Sequence, residues 1–277
     1  MTNRTIKQLV SGMPTQDGAG VSLTRIIGHR LLPNLDPFLM LDFFGSDKPD
    51  EYIAGFPPHP HRGFQTVTYM LKGKMRHRDS VGNEGIIEDG GIQWMNAGKG
   101  IIHEEMPQQT DGLLKGFQLW VNLPAKDKMS APGYQDIQPD EVKTVSVGQG
   151  IEAKVLAGTL NGVSGPVNTA RVKPLFTDLH WQADAFATIP VATGHSAFVY
   201  CYEGSLDVSG ETIACGKLAV LNDGDVLDVT SSEAGKAILV AAAPIGEPVV
   251  QYGPFVMNTQ AEIQQAITDY QQGKLTA

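Results

Sequence analysis

The sequence predicts an all-β protein made of two similar β-barrels, with one short helix near its C-terminal end. Glycine and proline account for 31 and 17 of the 277 residues, which favours a chain with many tight turns. Short apolar segments rich in valine, isoleucine and aromatic residues recur between these turns. Such spacing is typical of sandwiches and barrels rather than of folds in which strands alternate with helices.

Each predicted strand is a short apolar patch bounded by a turn signal that contains glycine. Examples of these turns are Lys72-Gly73, Gly82-Asn83 and Glu203-Gly204. The first series of predicted strands is 65–71, 85–88, 92–95, 116–123, 144–147 and 153–156. The second series is 197–202, 205–208, 212–214, 217–221 and 237–243.

The two halves share a strand–turn–strand pattern, which predicts a repeated barrel. Tyr69-Met-Leu-Lys-Gly-Lys-Met in the first half is similar to Tyr200-Cys-Tyr-Glu-Gly-Ser-Leu in the second. The polar stretch 126–140 contains two prolines and marks the boundary between the repeats. The predicted domains are therefore 1–130 and 131–277.

A helix is predicted over about 259–272, at the end of the second domain. Thr259 and Glu262 have the spacing of a capping box, and Gly273 can end the helix. Ile263, Ile267 and Tyr270 recur at helical spacing and predict one apolar face.

Charge and cysteine content limit the classes of function. The formal net charge is −9 and the pI is about 5.2, so the chain lacks the basic surface that nucleic acids or anionic lipids require. Two cysteines, Cys201 and Cys215, are too few for a disulfide framework and are interpreted as reduced thiols. The N-terminal segment has no apolar stretch typical of a signal peptide, and the longest apolar run, 237–243, is too short to span a bilayer. We expect a soluble, cytoplasmic protein that binds neither nucleic acid nor membrane directly; a nuclear location is the alternative if the source is a eukaryote.

The most informative segment contains two histidines separated by one proline. His59 and His61 are two residues apart, so on a strand both imidazoles point to the same face. Pro60 suits the entry or edge of a strand better than a helix. Alone, such a pair can also be two surface histidines of a proline-rich loop.

A second pair strengthens the prediction of a metal site. His103 and Glu105 are also two residues apart, whereas Glu104 points the opposite way and is not expected to be a ligand. About three strands separate the two pairs, enough to bring them together around a small barrel. Three imidazoles and a carboxylate suit a divalent first-row metal such as Fe, Mn, Ni, Cu or Zn. His77 and Asp79 on an intervening strand could support a ligand or line the cavity, or simply be half-buried strand residues.

Several sequence runs closely resemble the pirin family of the cupin superfamily. They are HPHRGFQTVTY, HRDSVG, WMNAGKGIIHEEMP, GFQLWVNLP and GEPVVQYGPFVMNT, and together they extend over nearly the whole chain. The resemblance implies two stacked cupin (jelly-roll) barrels, of which only the N-terminal one keeps metal ligands. It also implies one bound metal, most often Fe(2+), held by His59, His61, His103 and Glu105.

The chain departs from related patterns at two positions. Many cupins place a ligand glutamate four residues after the second histidine, where this chain has Gln65. Because an amide carries no charge, the carboxylate role passes to Glu105. Many relatives have a small residue where this chain has Glu104, and strand alternation favours a solvent-facing position for that side chain.

The resemblance implies a metal-dependent dioxygenase of the quercetin 2,3-dioxygenase type. Its substrates would be a flavonol and O₂, its products would include CO, and Glu105 would act as the general base. An alternative from a different class is a metal- or redox-dependent regulatory protein that binds a transcription factor or a metabolic enzyme. Another cupin reaction, such as an isomerisation, is a third possibility that the glutamine at position 65 disfavours.

Overall fold

The computed structural model describes residues 1–168 and 172–277, and in these ranges the chain is mainly β-structure with one α-helix. This confirms the predicted all-β class with a C-terminal helix. The strands of the N-terminal half are β1 (Ile6–Ser11), β2 (Met13–Asp17), β3 (Val21–Ile27), β4 (Phe38–Ser46), β5 (Phe56–His61), β6 (Phe64–Lys72), β7 (Met75–Asp79), β8 (Glu84–Ile87), β9 (Ile92–Asn96), β10 (Ile101–Pro107), β11 (Leu114–Asn122) and β12 (Gly133–Ile137).

The strands that follow are β13 (Lys143–Ala157), β14 (Thr159–Leu160), β15 (Val163–Ser164), β16 (Leu175–Pro190), β17 (Ser196–Glu203), β18 (Ser205–Val208), β19 (Glu211–Ala214), β20 (Lys217–Leu221), β21 (Val226–Ser231), β22 (Gly235–Ala242), β23 (Val250–Tyr252) and β24 (Phe255–Met257). The helix α1 is Gln260–Gln271, and short 3₁₀ turns occur at Pro49–Glu51, Ala125–Asp127 and Pro139–Glu141. No helix among the described residues has the length and apolar character needed to cross a membrane.

Packing divides the chain into two compact units. The histidine-rich unit comprises residues 13–139 and 245–277, and the second unit comprises 1–12 and 140–244. Each unit therefore combines a continuous central stretch with a segment from one end of the chain. The domain boundary at 130/131 stays a prediction.

The histidine-rich unit is built from two main antiparallel sheets. The larger has the strand order β12-β9-β6-β11-β4-β3-β2, and the smaller has the order β5-β10-β7-β8. Strands β6 and β11 at the centre of the larger sheet are mostly buried, and their fully buried apolar residues include Phe64, Val67 and Leu119. The smaller sheet carries the His59/His61 pair on β5 and the His103/Glu105 pair on β10.

The second unit contains a nine-stranded sheet with the main order β1-β20-β17-β22-β16-β21-β18-β19, in which β13 also pairs with β16. Sequence reasoning predicts two strands, 144–147 and 153–156, where the structure has the single strand β13. Strand β13 continues through Gly148 and Gly150. Its pairing with β16 is irregular between Gln149 and Ile151, where Gly150 alone lies opposite residues 182–185 of β16. Gly150, with φ of +68°, adopts a left-handed backbone at this irregularity.

The predicted helix and its capping box are confirmed. The Thr259 hydroxyl accepts a hydrogen bond from the Glu262 backbone N–H at 3.2 Å, and the Glu262 carboxylate accepts one from the Thr259 N–H at 2.8 Å. Ile263 is fully buried and Ile267 packs beside it, while Tyr270 remains 41% exposed. The packed apolar face of α1 therefore contains Ile263 and Ile267, and it is narrower than the predicted face, which also included Tyr270.

Helix α1 is attached to the strand that carries the first histidine pair. Arg62, which directly follows β5, is 4% exposed and forms an ion pair with Asp269 at 2.7 Å. Its guanidinium also donates to the carbonyl oxygens of Lys99 and Leu275. Arg62 therefore joins the end of β5 to the C-terminal segment.

The Arg62–Asp269 pair predicts a pH-dependent contribution to stability. The hydrogen bond from Arg62 holds the pKa of the Asp269 carboxyl below its usual value. A lowered folded-state pKa gives stability that is complete above the unfolded-state pKa, near 4, and is lost as pH falls through the folded value. We expect Asp269→Asn to lower the urea midpoint at pH 7, and the difference from the wild type to shrink as pH falls through the folded-state pKa of Asp269. A loss that stays the same from pH 7 to acidic pH would contradict this account.

Lys128 is a buried cation that joins three segments of the histidine-rich unit. Its side chain is almost fully buried, and Nζ donates to the carbonyl oxygens of Gly63 and Val256 and to Oδ1 of Asn122, at 2.6–3.0 Å. Burial lowers the pKa of Lys128 to about 8, so the ammonium form still dominates at pH 7. All three of its protons then have an acceptor.

Replacing Lys128 with methionine should lower the free energy of unfolding by about 2–4 kcal/mol, because three buried acceptors lose a charged donor while the side-chain volume is nearly kept. Urea denaturation followed by circular dichroism measures this loss. Lys126→Met, at an exposed position two residues away, is the matched control. Equal stability of the two variants would show that the Lys128 contacts contribute nothing.

Candidate metal centre

Strand pairing brings the three predicted histidines together. Strands β5 and β10 are antiparallel neighbours, and His103 lies directly opposite His59. The ring centroids of the three imidazoles are 4.4–4.8 Å apart, and one nitrogen from each ring lies within 4.8 Å of the others. Among the described residues this is the one group of three or more His, Cys, Asp or Glu side chains with the spacing of a metal site.

The hydrogen bonds of these rings leave nitrogens available for a metal ion. His59 Nδ1 lies 2.8 Å from the Pro57 carbonyl oxygen, which leaves Nε2 free to act as a ligand. Nδ1 of His61 and Nε2 of His103 are buried and have no hydrogen-bond partner among the described residues. Burial lowers the pKa of both His61 and His103 well below the usual histidine value, which favours the neutral form that binds metals. The donor set therefore fits a transition metal.

His77 supports His103 from the neighbouring strand β7. The Nδ1 atoms of the two rings are 3.2 Å apart, so one of them must donate to the other. If His103 donates, its Nε2 keeps a lone pair, as a metal ligand requires. His77 therefore contacts a predicted metal ligand, as expected for a residue that supports one. The Asp79 carboxylate instead accepts backbone hydrogen bonds from Val81 and Asn83 in the following turn.

Glu105 lies beside the histidines, with its carboxylate held from two sides. It is 3% exposed; Oε1 is 2.8 Å from the Thr68 hydroxyl, and Oε2 accepts a hydrogen bond of 2.9 Å from Gln118 Nε2. The Thr68 hydroxyl is also 2.8 Å from Gln118 Oε1, so its single proton serves only one of the two contacts. Glu105 is outside the group of three histidines with metal-site spacing, and its role as the fourth ligand stays a prediction.

Glu104 and Gln65, which the sequence places near the predicted ligands, are not part of the histidine cluster. Glu104 forms an ion pair with Arg76 at 3.1 Å, in agreement with strand alternation. Gln65, at the position of the cupin glutamate, is buried on β6 and does not line the cavity beside the histidines.

A cavity of about 620 Å³ opens onto the histidines. His59, His61 and Glu105 line one part of it, and an Arg25–Asp42 ion pair lines another. Apolar side chains form much of the remaining wall, including Leu23, Met40, Phe44, Phe56 and Trp120. The size and mixed lining are typical of a site for a small organic molecule.

Sequence reasoning gave no role to Thr68, Gln118, Arg25 or Asp42. Their functional positions depend on strand pairing, because Thr68, Gln118 and Asp42 are cross-strand partners on β6, β11 and β4. No spacing within a single segment indicates this relation.

A larger cavity, of about 1040 Å³, lies in the second unit. Its lining includes His195, Lys173 and Asp225, but no metal-site group among the described residues includes any of them. This cavity is the larger of the two, but the buried imidazoles and carboxylate make the smaller cavity the better candidate for the functional site.

Sequence comparison assigns the family. The profile described as "Pirin" matches residues 20–121, and that described as "Pirin C-terminal cupin domain" matches 176–276. A protein of Pseudomonas aeruginosa is 47% identical over 279 residues, covering 98% of each chain, and its name assigns it provisionally as a quercetin 2,3-dioxygenase.

Two solved structures are similar to this chain. Quercetin 2,3-dioxygenase from Acinetobacter baumannii is 32% identical, with a TM-score of 0.92 over 99% of both chains. A bacterial pirin from Escherichia coli, solved in complex with nickel(II), has a TM-score of 0.68 over 86% of this chain and 98% of its own. At 16% identity the second likeness shows the fold alone. The chain belongs to the pirin family, and the predicted resemblance is confirmed.

Proposed function

We propose that this pirin is a metal-dependent dioxygenase that opens the heterocycle of a flavonol such as quercetin. The main support for this proposal is that three clustered imidazoles and a buried carboxylate lie beside a cavity with a largely apolar wall. The names of the Pseudomonas and Acinetobacter relatives support the same reaction class.

His59, His61 and His103 would hold the metal ion, with Glu105 as the fourth ligand. Iron as Fe(2+) is our first choice, and Ni, Cu, Mn or Zn would also accept this donor set. When bound, the ion would lower the pKa of a coordinated flavonol 3-hydroxyl, as it does for coordinated water.

Glu105 would accept the proton released from the flavonol 3-hydroxyl. Thr68 and Gln118 fix the two carboxylate oxygens, so that the carboxylate does not have to reorganise when the substrate arrives. The rings of Phe44, Phe56 and Trp120 offer apolar surface to a flat aromatic substrate and exclude water from it.

The overall reaction requires no separate reductant. The flavonol supplies the electrons, both oxygen atoms of O₂ enter the ring-opened product, and the carbon that bears the 3-hydroxyl leaves as CO. The flavonol and O₂ are therefore the only reactants that the cavity has to admit.

The cavity favours an enzyme over a regulatory protein that binds a transcription factor or a metabolic enzyme. A regulatory role would need the same metal ligands but would not need a chamber beside them. Cytoplasmic location and any protein partner stay predictions from the sequence.

A spectroscopic experiment tests the proposal. Under argon, the metal-loaded protein should shift the visible absorption band of quercetin as the flavonol loses its proton in the site. Admission of air should then bleach the band. A metal-loaded protein that leaves quercetin unchanged in air would contradict the proposed reaction.

A further inference from the structure

A row of polar side chains crosses the larger sheet beneath the cavity. Thr68, Gln118, Asp42 and Arg25 are successive cross-strand partners on β6, β11, β4 and β3. Direct partners in antiparallel strands have their side chains on the same face of the sheet. We call these four residues the polar row.

One end of the polar row belongs to the metal centre. Thr68 and Gln118 contact the two carboxylate oxygens of Glu105. Neighbouring strands are about 4.8 Å apart, so the backbone of Arg25 lies roughly 10 Å from that of Gln118. The other end of the row is therefore far enough away to contact a different part of a bound molecule.

The remote end is a charged cluster of Arg25, Asp42 and Asp17. Arg25 binds both oxygens of Asp42, at 2.9 and 2.7 Å, and its Nη2 also donates to Asp17 at 2.8 Å. The Asp42 carboxylate is buried, whereas the Asp17 side chain is 50% exposed. All three residues line the cavity.

The charge of this cluster determines what it can recognise. One guanidinium and two carboxylates leave one net negative charge, so the cluster repels an anionic group. Asp17 Oδ2 accepts a hydrogen bond from Arg25 and Oδ1 accepts one from the Gly18 backbone N–H, each at 2.8 Å. The exposed carboxylate keeps acceptor capacity, since each of its oxygens has a further lone pair. A hydroxyl that donates a hydrogen bond is the complementary group.

We propose that Asp17, oriented by Arg25, is a specificity determinant that accepts a hydrogen bond from a hydroxyl at the end of the substrate remote from the histidines. The preferred substrates are then neutral aromatic molecules with a metal-binding oxygen at one end and a hydroxylated ring at the other. Aromatic molecules with a carboxylate on that ring are disfavoured. This inference rests on the proposed function and specifies the substrate class for it.

Anaerobic titration calorimetry of the metal-loaded protein tests the inference without turnover. Quercetin has two hydroxyls on its outer ring, and galangin has none there. The wild-type protein should bind quercetin about 10-fold or more tightly than galangin, as a hydrogen bond to a charged acceptor predicts. Asp17→Ala should remove most of this difference by weakening quercetin binding alone. Asp50→Asn, at an exposed position outside the cavity lining, is the matched control and should change neither affinity.

A reversed charge effect separates recognition from a structural role. A flavonol with a carboxylate on its outer ring should bind the wild-type protein more weakly than quercetin, and Asp17→Asn should tighten its binding. A loss of affinity that is equal for quercetin and galangin in Asp17→Ala, or no change for either, would overturn the inference and leave the proposed function standing. Failure of the wild-type protein to bind any flavonol would overturn both.

Discussion

Replacement of His61 with alanine should abolish stable metal binding and reduce quercetin turnover to below about 1% of the wild-type rate. His61 supplies one of the three clustered imidazoles, and its buried Nδ1 has no alternative partner among the described residues. Loss of a residue that merely supports a ligand typically costs 10–100-fold in metal affinity, so loss of a ligand should cost about 100-fold or more.

Elemental analysis of the purified variant measures this effect as metal ions per chain. His59→Ala should give the same result and guards against misfolding, because His59 is only partly buried. His180→Ala, at a histidine of the second unit, is the control and should keep the wild-type metal content. Full metal occupancy in His61→Ala would show that the histidine cluster does not hold the ion.

Replacement of Glu105 with glutamine should reduce the turnover number for quercetin by about 10²–10⁴-fold, the usual contribution of a general base, while the metal stays bound. The amide fits the existing network. Its NH₂ group can donate to the Thr68 hydroxyl and its carbonyl can accept from Gln118 Nε2, so the fold and the three imidazoles should be undisturbed.

Steady-state turnover and metal content, measured on the same preparation, separate the two roles of Glu105. Loss of turnover at full metal occupancy would indicate that Glu105 acts as the general base. Loss of the metal would indicate that Glu105 is essential as the fourth ligand. Glu104→Gln changes the neighbouring carboxylate on the opposite face, paired with Arg76, and should keep at least about half of the wild-type rate. If Glu105→Gln turned over quercetin at the wild-type rate, Glu105 would not be the general base.

The parts of the fold and site that depend on local periodicity could be predicted from the sequence. Residues two apart on a strand share a face, which places His59 with His61. The capping box of α1 follows from the four residues that form it, Thr259 to Glu262. Both features arise from short-range geometry, so a single sequence segment contains the necessary information.

The parts that depend on register or long-range packing could not be predicted. Arg25 reaches Asp42 because β3 and β4 pair in one register, and a shift of one residue would place the two side chains on opposite faces. Likewise, the sequence predicts two separate strands, 144–147 and 153–156, whereas pairing with β16 keeps β13 continuous through both. The attachment of α1 to β5 through Arg62 and Asp269 joins residues 207 positions apart.

The most direct test of the account is the amount of CO released per quercetin consumed in air by the metal-loaded protein. Ring opening of the proposed type predicts one CO for each quercetin, with release lost in His61→Ala and strongly slowed in Glu105→Gln. Quercetin that persists, or that disappears without CO, would contradict the assignment of this cavity as a flavonol dioxygenase site.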